Sequence, residues 1–278
     1  MKELRRRISI SNGAKYLILI LAALIVIVPL IFSVLTTFKT SDEYYRTPLE
    51  LPQSLYLENY REIFKKFDFA RLLLNSLILT LASVLVGSYV SVMAAFAFGK
   101  MRFKGRKLLS GILVPVMSVP AIVIVIPLFS LFSELKMVNT FTAPIIIYIG
   151  LIVPFSVYLI TSFMDSIPNE IIEAAMMDGL GTLGIFHRII LPLSLPAIST
   201  VMITQGMWIW NELLIAFIFL QKESMRTLVV GLTSIQGLYS IDIPLMVTGA
   251  VIVSLPLVLA FIFSQRYVIR GLVEGAVK

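Results

Sequence analysis

Ser166-Ile-Pro-Asn-Glu-Ile-Ile-Glu-Ala-Ala-Met-Met-Asp-Gly179, running on to Leu191-Pro-Leu-Ser-Leu-Pro196, is the long interval in the second half of the chain that does not read as lipid-buried helix. It carries Glu170, Glu173 and Asp178, with Asp165 just before it, Gly179, Gly181 and Gly184, and the single histidine, His187. A polar hairpin held between two membrane spans faces something outside the membrane. Its local chemistry predicts two short helices with a break between them. Pro168 suits the first turn of a helix, where its missing N–H is no loss. Asp165 and Ser166 are placed to satisfy free N–H groups, and Glu170 favours the positive helix end. Ile172, Ala175 and Met176 fall on one face, and Glu170, Glu173 and Met177 on another. Gly179 ends the helix, as glycine does where φ must turn positive. A second segment, Leu183–Ile190, carries Phe186, Ile189 and Ile190; Leu191-Pro192 is expected to stop it, with Pro196 near the start of the next span.

Outward from this stretch, composition excludes an ordinary soluble domain. Of 278 residues 58% are hydrophobic and 14% charged, with a mean hydropathy of +0.96; soluble domains carry roughly a quarter charged residues. With no cysteine there are no disulfides, thiolate metal sites or cysteine nucleophiles, and one histidine builds no multi-histidine metal site. Six apolar runs, Tyr16–Phe38, Leu72–Phe98, Leu108–Ser133, Met137–Met164, Ile189–Gln221 (interrupted by Glu212) and Ile243–Gln265, are each at least the roughly 20 residues that cross a bilayer. They place spans at about 16–38, 72–98, 108–133, 141–164, 192–220 and 243–265. The first run is too long for a signal-peptide core and lacks an obvious small-residue cleavage site, so it reads as a retained span. The expected architecture is an all-α polytopic membrane protein: a single transmembrane domain over residues 1–278 with six spans, a hairpin at 166–191 between spans 4 and 5, and a tail at 266–278.

Charge sets the orientation. With the N-terminus cytoplasmic, the inner segments hold 14 Lys and Arg and 6 acids, the outer ones 9 and 10. That is the bias of the positive-inside rule, so the net charge of +7 reads as a topology signal rather than a nucleic-acid footprint. The loop 99–107, with Lys100, Arg102, Lys104, Arg106 and Lys107, is short and pinned between spans. The outer segment Lys39–Arg71 reads as a small ordered cap with a helix near Tyr60–Phe67.

Motifs for chemistry are absent: no phosphate-binding G-x-x-x-x-G-K-[ST], no G-x-S-x-G and no H-E-x-x-H. His187 reads as an interfacial anchor. Prolines 115, 120 and 127 break the third apolar run, as lipid permits where neighbours satisfy the freed carbonyls. The strongest intramembrane polar cluster is Gln205, Trp208, Trp210, Asn211 and Glu212. A helix from Pro196 puts Asn211 roughly 22 Å along, in the outer part of the membrane. Two readings stand. Intramembrane acids face a cavity or a partner, and aromatic rings beside amides suit a sugar; alternatively the cluster is an aromatic belt with a helix-to-helix hydrogen bond.

Glu173-Ala174-Ala175-x-x-Asp178-Gly179, followed by Phe186, Ile189 and Leu191-Pro192, resembles the EAA loop of permease subunits in binding-protein-dependent ABC importers. Asn59-Tyr60, Asn75-Ser76, Trp210-Asn211-Glu212, Thr227-Leu-Val-Val-Gly-Leu232 and the terminus Gln265-Arg-Tyr267 to Gly271-Leu272 resemble the carbohydrate branch, specifically the smaller permease of maltose-type importers. The likeness runs through essentially the whole length. It implies that Glu170, Glu173, Ala174, Ala175, Asp178, Gly179 and Phe186 belong to a coupling helix docked on a separate ATPase. It implies further partners: two ATP-binding subunits that hold the ATP and Mg, a second homologous permease as a heterodimer, an external solute-binding protein and a sugar substrate. No cofactor is expected in this chain and no nucleic acid as a partner. The resemblance implies a place in a bacterial or archaeal inner membrane, with both termini cytoplasmic.

Other classes fit less well. A secondary transporter needs coupling-ion carboxylates in its spans, and Glu212 is the one acid inside a run. A membrane enzyme needs a nucleophile or an acid–base pair, and a channel needs no acidic hairpin. An ABC permease for a non-sugar solute is the main competitor. The apolar tail, with Val268, Ile269, Leu272, Val273 and Val277, is expected to pack on the ATPase pair. Reporter fusions at Asn59 and Gln236 should read as external, and at Lys104 and Gly179 as cytoplasmic; one opposite result overturns this topology.

Overall fold

The structure is a computed structural model. It describes residues 2–233, 235 and 242–276, with side chains for 13, 15–233, 235, 242–263 and 265. Gln236 and the side chains of the tail beyond Gln265 lie outside the described residues.

Every regular element among the described residues is helical: α1 (Lys2–Thr36), α2 (Ser41–Arg46), α3 (Glu58–Lys66), α4 (Phe69–Lys100), α5 (Arg106–Met117), α6 (Ala121–Glu134), α7 (Thr142–Met164), α8 (Asn169–Met177), α9 (Thr182–Ile185), α10 (Leu191–Leu193), α11 (Leu195–Asn211), α12 (Leu214–Phe219), α13 (Leu228–Thr233) and α14 (Ile243–Ala276). Four stretches are long and apolar enough to cross a membrane: Lys15–Thr36, Phe69–Lys100, Thr142–Met164 and Ile243–Phe263. Two bent pairs bring the number to six if each counts as one span.

Two of the expected apolar runs are bent. The run at 108–133 is not one helix: α5 and α6 meet at 101°. Pro120, extended at φ −64° and ψ 134°, stands at the break as the N-cap residue of α6, and it has no N–H to continue the ladder of α5. The run at 192–220 bends by 71° between Leu193 and Leu195. It breaks again at Glu212, whose ψ of 122° is extended.

The chain divides into two compact units, Met1–Asp68 with Leu232–Ser254, and Phe69–Gly231 with Leu255–Lys278. In the first, the cap expected at 39–71 forms as α2 and α3. Thr40 accepts the Glu43 N–H at 3.2 Å to start α2. The buried Lys39 ammonium donates to the Thr47 and Pro48 carbonyls at 2.8 and 3.1 Å, closing the other end of α2. Asn59 donates to the Thr37 and Lys39 carbonyls, both at 2.9 Å, and Tyr60 hydrogen-bonds Thr37 Oγ1 at 2.8 Å.

In the second unit α4 and α7 form the most extensive helix pair. Small residues allow it: Ser83, Ser88, Ser91 and Ser156 are buried, and a Cβ on Gly87 would lie 2.5 Å from Ile152 Cδ1. Such stripes let helix backbones approach where lipid offers no hydrophobic drive. Asn75 donates to the Ser224 and Arg226 carbonyls at 3.0 and 2.9 Å, and Ser76 Oγ accepts the Leu228 N–H at 2.9 Å. The Asn-Tyr and Asn-Ser pairs are therefore clamps on irregular backbone. An unsatisfied buried polar group costs about 1–3 kcal/mol. Asn59→Ala strips two carbonyls of their donor and should lower stability by about 2 kcal/mol, read as a lower thermal midpoint in detergent; an unchanged midpoint contradicts the clamp.

Candidate functional site

The hairpin begins where α7 ends. Ser166 and Ile167 N–H groups donate to the Phe163 and Met164 carbonyls, each at 3.0 Å, and Ser166 Oγ turns back to Phe163 O at 2.7 Å. Neither Asp165 nor Ser166 caps α8, contrary to the sequence expectation. Pro168 stands just outside the helix in extended conformation, and α8 starts without a side-chain cap. Its first turn carries Glu170, on the side that the helix dipole favours.

The helix has one buried face. Ala175 is buried and Ile172 packs beside it against a core made by Val92, Ala95 and Phe96 of α4 with Val157, Ile160 and Met164 of α7. Met176, expected on that face, is exposed, as are Glu170, Glu173, Ala174 and Asp178; Met177 is 88% exposed. Among the described residues none of these carboxylates, nor that of Asp165, enters an ion pair; the ion pairs lie at Arg46–Asp42, Arg61–Glu58 and Lys65–Glu58.

The end of α8 is as expected. Gly179 takes φ +84°, its N–H donates to Met176 O, and the Leu180 N–H reaches back to Ala175 O, both at 3.0 Å. This paired closure satisfies carbonyls at the helix end and lets Leu180 pack on the core beneath it. A Cβ at Gly179 would meet no atom within 4 Å, so the requirement for glycine is conformational, not steric.

The return limb departs from the expectation. Leu191-Pro192 does not stop it. The helix widens into a π turn at Phe186–Ile190, with the Leu191 N–H on Phe186 O, and continues to Leu193 before bending. A proline leaves the carbonyl four residues back without its usual donor; the widened turn lies directly before it. Phe186 is buried between Phe96 and Tyr89, at ring distances of 5.8 and 6.1 Å. His187 Nδ1–H donates to Leu183 O at 2.9 Å, leaving Nε2 to accept the Tyr89 hydroxyl at 3.1 Å.

One anchor was not legible in the sequence. Lys100, the last residue of α4, donates to the Ile167 carbonyl at 2.6 Å and to Asn169 Oδ1 at 3.1 Å. It holds the corner where α7 becomes α8. Nothing in the chain order links residue 100 to residue 167, and in the sequence the lysine counts only as a topology charge.

The polar cluster of α11 separates into two parts. Glu212 Oε2 accepts the Tyr148 hydroxyl of α7 at 2.6 Å, and the carboxylate also accepts the N–H groups of Ile215 at 3.0 and 3.1 Å and of Ala216 at 3.3 Å. It satisfies the open first turn of α12 where the membrane helix is broken. Gln205 and Trp208 lie in the C-terminal half of α11 with Asn211, whose amide donates to its own helix at Met207 O, 2.8 Å. Trp208 stands edge-on to Tyr148 at 6.0 Å, and Trp210 is buried. Among the described residues no group of three His, Asp or Glu side chains could hold a metal ion.

Residues 87–274, which take in the hairpin and the broken helix, match the family described as binding-protein-dependent transport system inner membrane component. The chain belongs to this family. Among its relatives is the inner membrane ABC transporter permease protein YcjP of Escherichia coli, 34% identical over 273 residues, covering 97% of this chain and 98% of that one. The arabinooligosaccharides transport system permease protein AraQ of Halalkalibacterium halodurans is 32% identical, with 92% of each chain covered. The fold matches a chain from the crystal structure of a bacterial ABC transporter involved in the import of the acidic polysaccharide alginate, with a TM-score of 0.78 at 22% identity over 93% of this chain and 96% of that one. As a member of this family the chain is a multi-pass inner-membrane transport component.

Charge-assisted hydrogen bonds are worth about 1.5–3 kcal/mol. Lys100→Met should therefore speed hydrogen–deuterium exchange of the α8 amides by about tenfold or more, and Lys100→Arg should restore much of the protection. Unaltered exchange in Lys100→Met would contradict the anchor.

Proposed function

We infer that this chain is the membrane-spanning permease subunit of an ATP-driven importer, forming part of the path for a sugar or oligosaccharide delivered by an external binding protein. The observation that carries this reading is the two-sided hairpin. Ile172, Ala175, Leu180 and Phe186 are locked into the packing of the spans, while Glu170, Glu173, Asp178 and Met177 face outward without ionic partners among the described residues. An acidic edge seated on the core of the spans suits docking to a basic cleft and passing its movement inward.

The partners that follow are two ATP-binding subunits, which hold the ATP and Mg, and a second, homologous permease. The sequence has no phosphate loop, in keeping with energy supplied by those subunits. Closure of the ATPase pair drives the hairpins together and swings the spans between inward- and outward-facing arrangements. Both termini and the hairpin lie on the cytoplasmic side, in keeping with the Lys and Arg bias. The tail, carried on from α14, packs against the ATPase pair. On the path itself, Gln205, Trp208 and Asn211 offer a stacking ring and amides to a sugar, and Glu212 holds the broken helix beside them. The sugar assignment draws on AraQ, named for arabinooligosaccharides, and on the alginate importer.

A carboxylate that loses a desolvated cationic partner costs several kcal/mol, whereas an exposed pair is worth about 0–1 kcal/mol. Glu173→Lys should therefore reduce the ATPase that co-purifies with the permease by tenfold or more, with the spans still inserted. Gly179→Val, which forces a branched side chain to positive φ at a cost of about 1–2 kcal/mol, should keep part of the ATPase but lose substrate-stimulated hydrolysis. Normal retention together with normal stimulated hydrolysis in both variants refutes the coupling role.

A further inference from the structure

Between Asp68 and Glu134 the sequence contains no acid, yet it places Arg102, Lys104, Arg106 and Lys107 within six residues. Lys100 is committed to Ile167 and Asn169, but these four cations are not so engaged. Among the described residues their one recorded hydrogen bond is a long one, Arg106 Nη1 to Met101 O at 3.4 Å, and the ion pairs of the chain lie elsewhere. Arg102, Lys104 and Lys107 are exposed and Arg106 is half-buried.

Their setting is amphipathic. The chain leaves α4 at Lys100, turns at Gly105 with φ +88°, and enters α5. The turn frames an open concavity of about 560 Å³ lined by Arg102, Phe103, Gly105, Arg106, Lys107 and Leu108. Exposed apolar side chains border it directly: Met101 and Phe103 on one limb, Leu108 (70% exposed) and Leu109 on the other. Helix α5 itself continues apolar and exposed through Ile112, Val114 and Val116. A cation cluster joined directly to exposed apolar side chains suits the level of lipid headgroups, where the two meet. The first N–H groups of α5, which no side chain caps, add to the attraction for negative charge.

We propose that the 101–109 turn is a binding site for an anionic phospholipid, with the headgroup phosphate held by Arg102, Lys104, Arg106 and Lys107 and the acyl chains lying along Phe103, Leu108 and α5. A soluble phosphate or an acidic protein would meet the cations but gain nothing from the exposed Phe103 and Leu108; a phospholipid uses both. Because Lys100 joins the root of this turn to the entry of α8, a bound lipid brackets the hairpin's anchor from its membrane side.

The test is native mass spectrometry of the detergent-released full chain supplied with equal amounts of phosphatidylglycerol and phosphatidylcholine. The chain should retain phosphatidylglycerol preferentially. The preference should fall by about fivefold for each cation removed, so that Arg102→Gln, Lys104→Gln, Arg106→Gln and Lys107→Gln together abolish it. Lys65→Gln with Lys66→Gln, at a site without the concavity, should leave it unchanged. In the unmodified chain the preference should also weaken as potassium chloride is raised, a readout that needs no variant to fold. Inorganic phosphate at matched ionic strength should not displace the lipid. Equal retention of the two lipids, a preference untouched by the four substitutions or by salt, or displacement by inorganic phosphate would each overturn the proposal.

Discussion

The packing of Ala175, Ile185, Phe186 and Ile190 into the crevice between α4, α7 and α11 is the contact on which the rest depends. A polar hairpin attached only by its two chain connections would swing as a loop and transmit little. Here its inner face is part of the same core that holds the spans together. Burying an apolar side chain of this size is worth roughly 1.5–3 kcal/mol. Lys100 at the entry and the Tyr89–His187 contact on the return limb fix the direction in which the hairpin points. Force applied to its acidic edge therefore reaches α4, α7 and α11 directly.

The same molecule shows how irregular backbone is tolerated in an apolar protein. Several departures from helix are met by a polar side chain. Asn59 and Lys39 satisfy carbonyls beyond α1, Asn75 and Ser76 hold the segment before α13, and Glu212 covers the start of α12. Where the backbone lies in lipid there is no water to do this work, and an unsatisfied group there costs several kcal/mol. Glu212, which from sequence reads either as facing a cavity or as part of an aromatic belt with a helix-to-helix hydrogen bond, closes the broken helix beside Trp208 and Asn211.

Periodicity and composition made the helical membrane fold legible, and the Glu-Ala-Ala-x-x-x-Gly spacing made the hairpin legible, because a positive-φ glycine after an apolar-faced turn has few structural meanings. The bends were only partly legible. Prolines 115, 120 and 127 announce a break but not an angle of 101°. Leu191-Pro192 reads as a stop because a proline removes a hydrogen bond; a π turn absorbs that loss instead, and local rules do not anticipate it. Met176 followed the helical wheel onto the buried face, yet the contact patch is only as wide as Ile172 and Ala175. Lys100 escaped notice because its partners lie 67 and 69 residues away.

The central claim, that the exposed edge of α8 docks on an ATPase, is open to a direct measurement because the chain contains no cysteine. Met177, 88% exposed at the tip of that edge, can be replaced by cysteine to give a unique thiol. In the assembled importer, a short thiol-to-amine crosslinker should join this position to the ATP-binding subunit, and the thiol should be shielded from a soluble maleimide that labels it fully in the isolated permease. Full labelling in the assembled complex, with no crosslink to the ATP-binding subunit in any nucleotide state, would contradict the account.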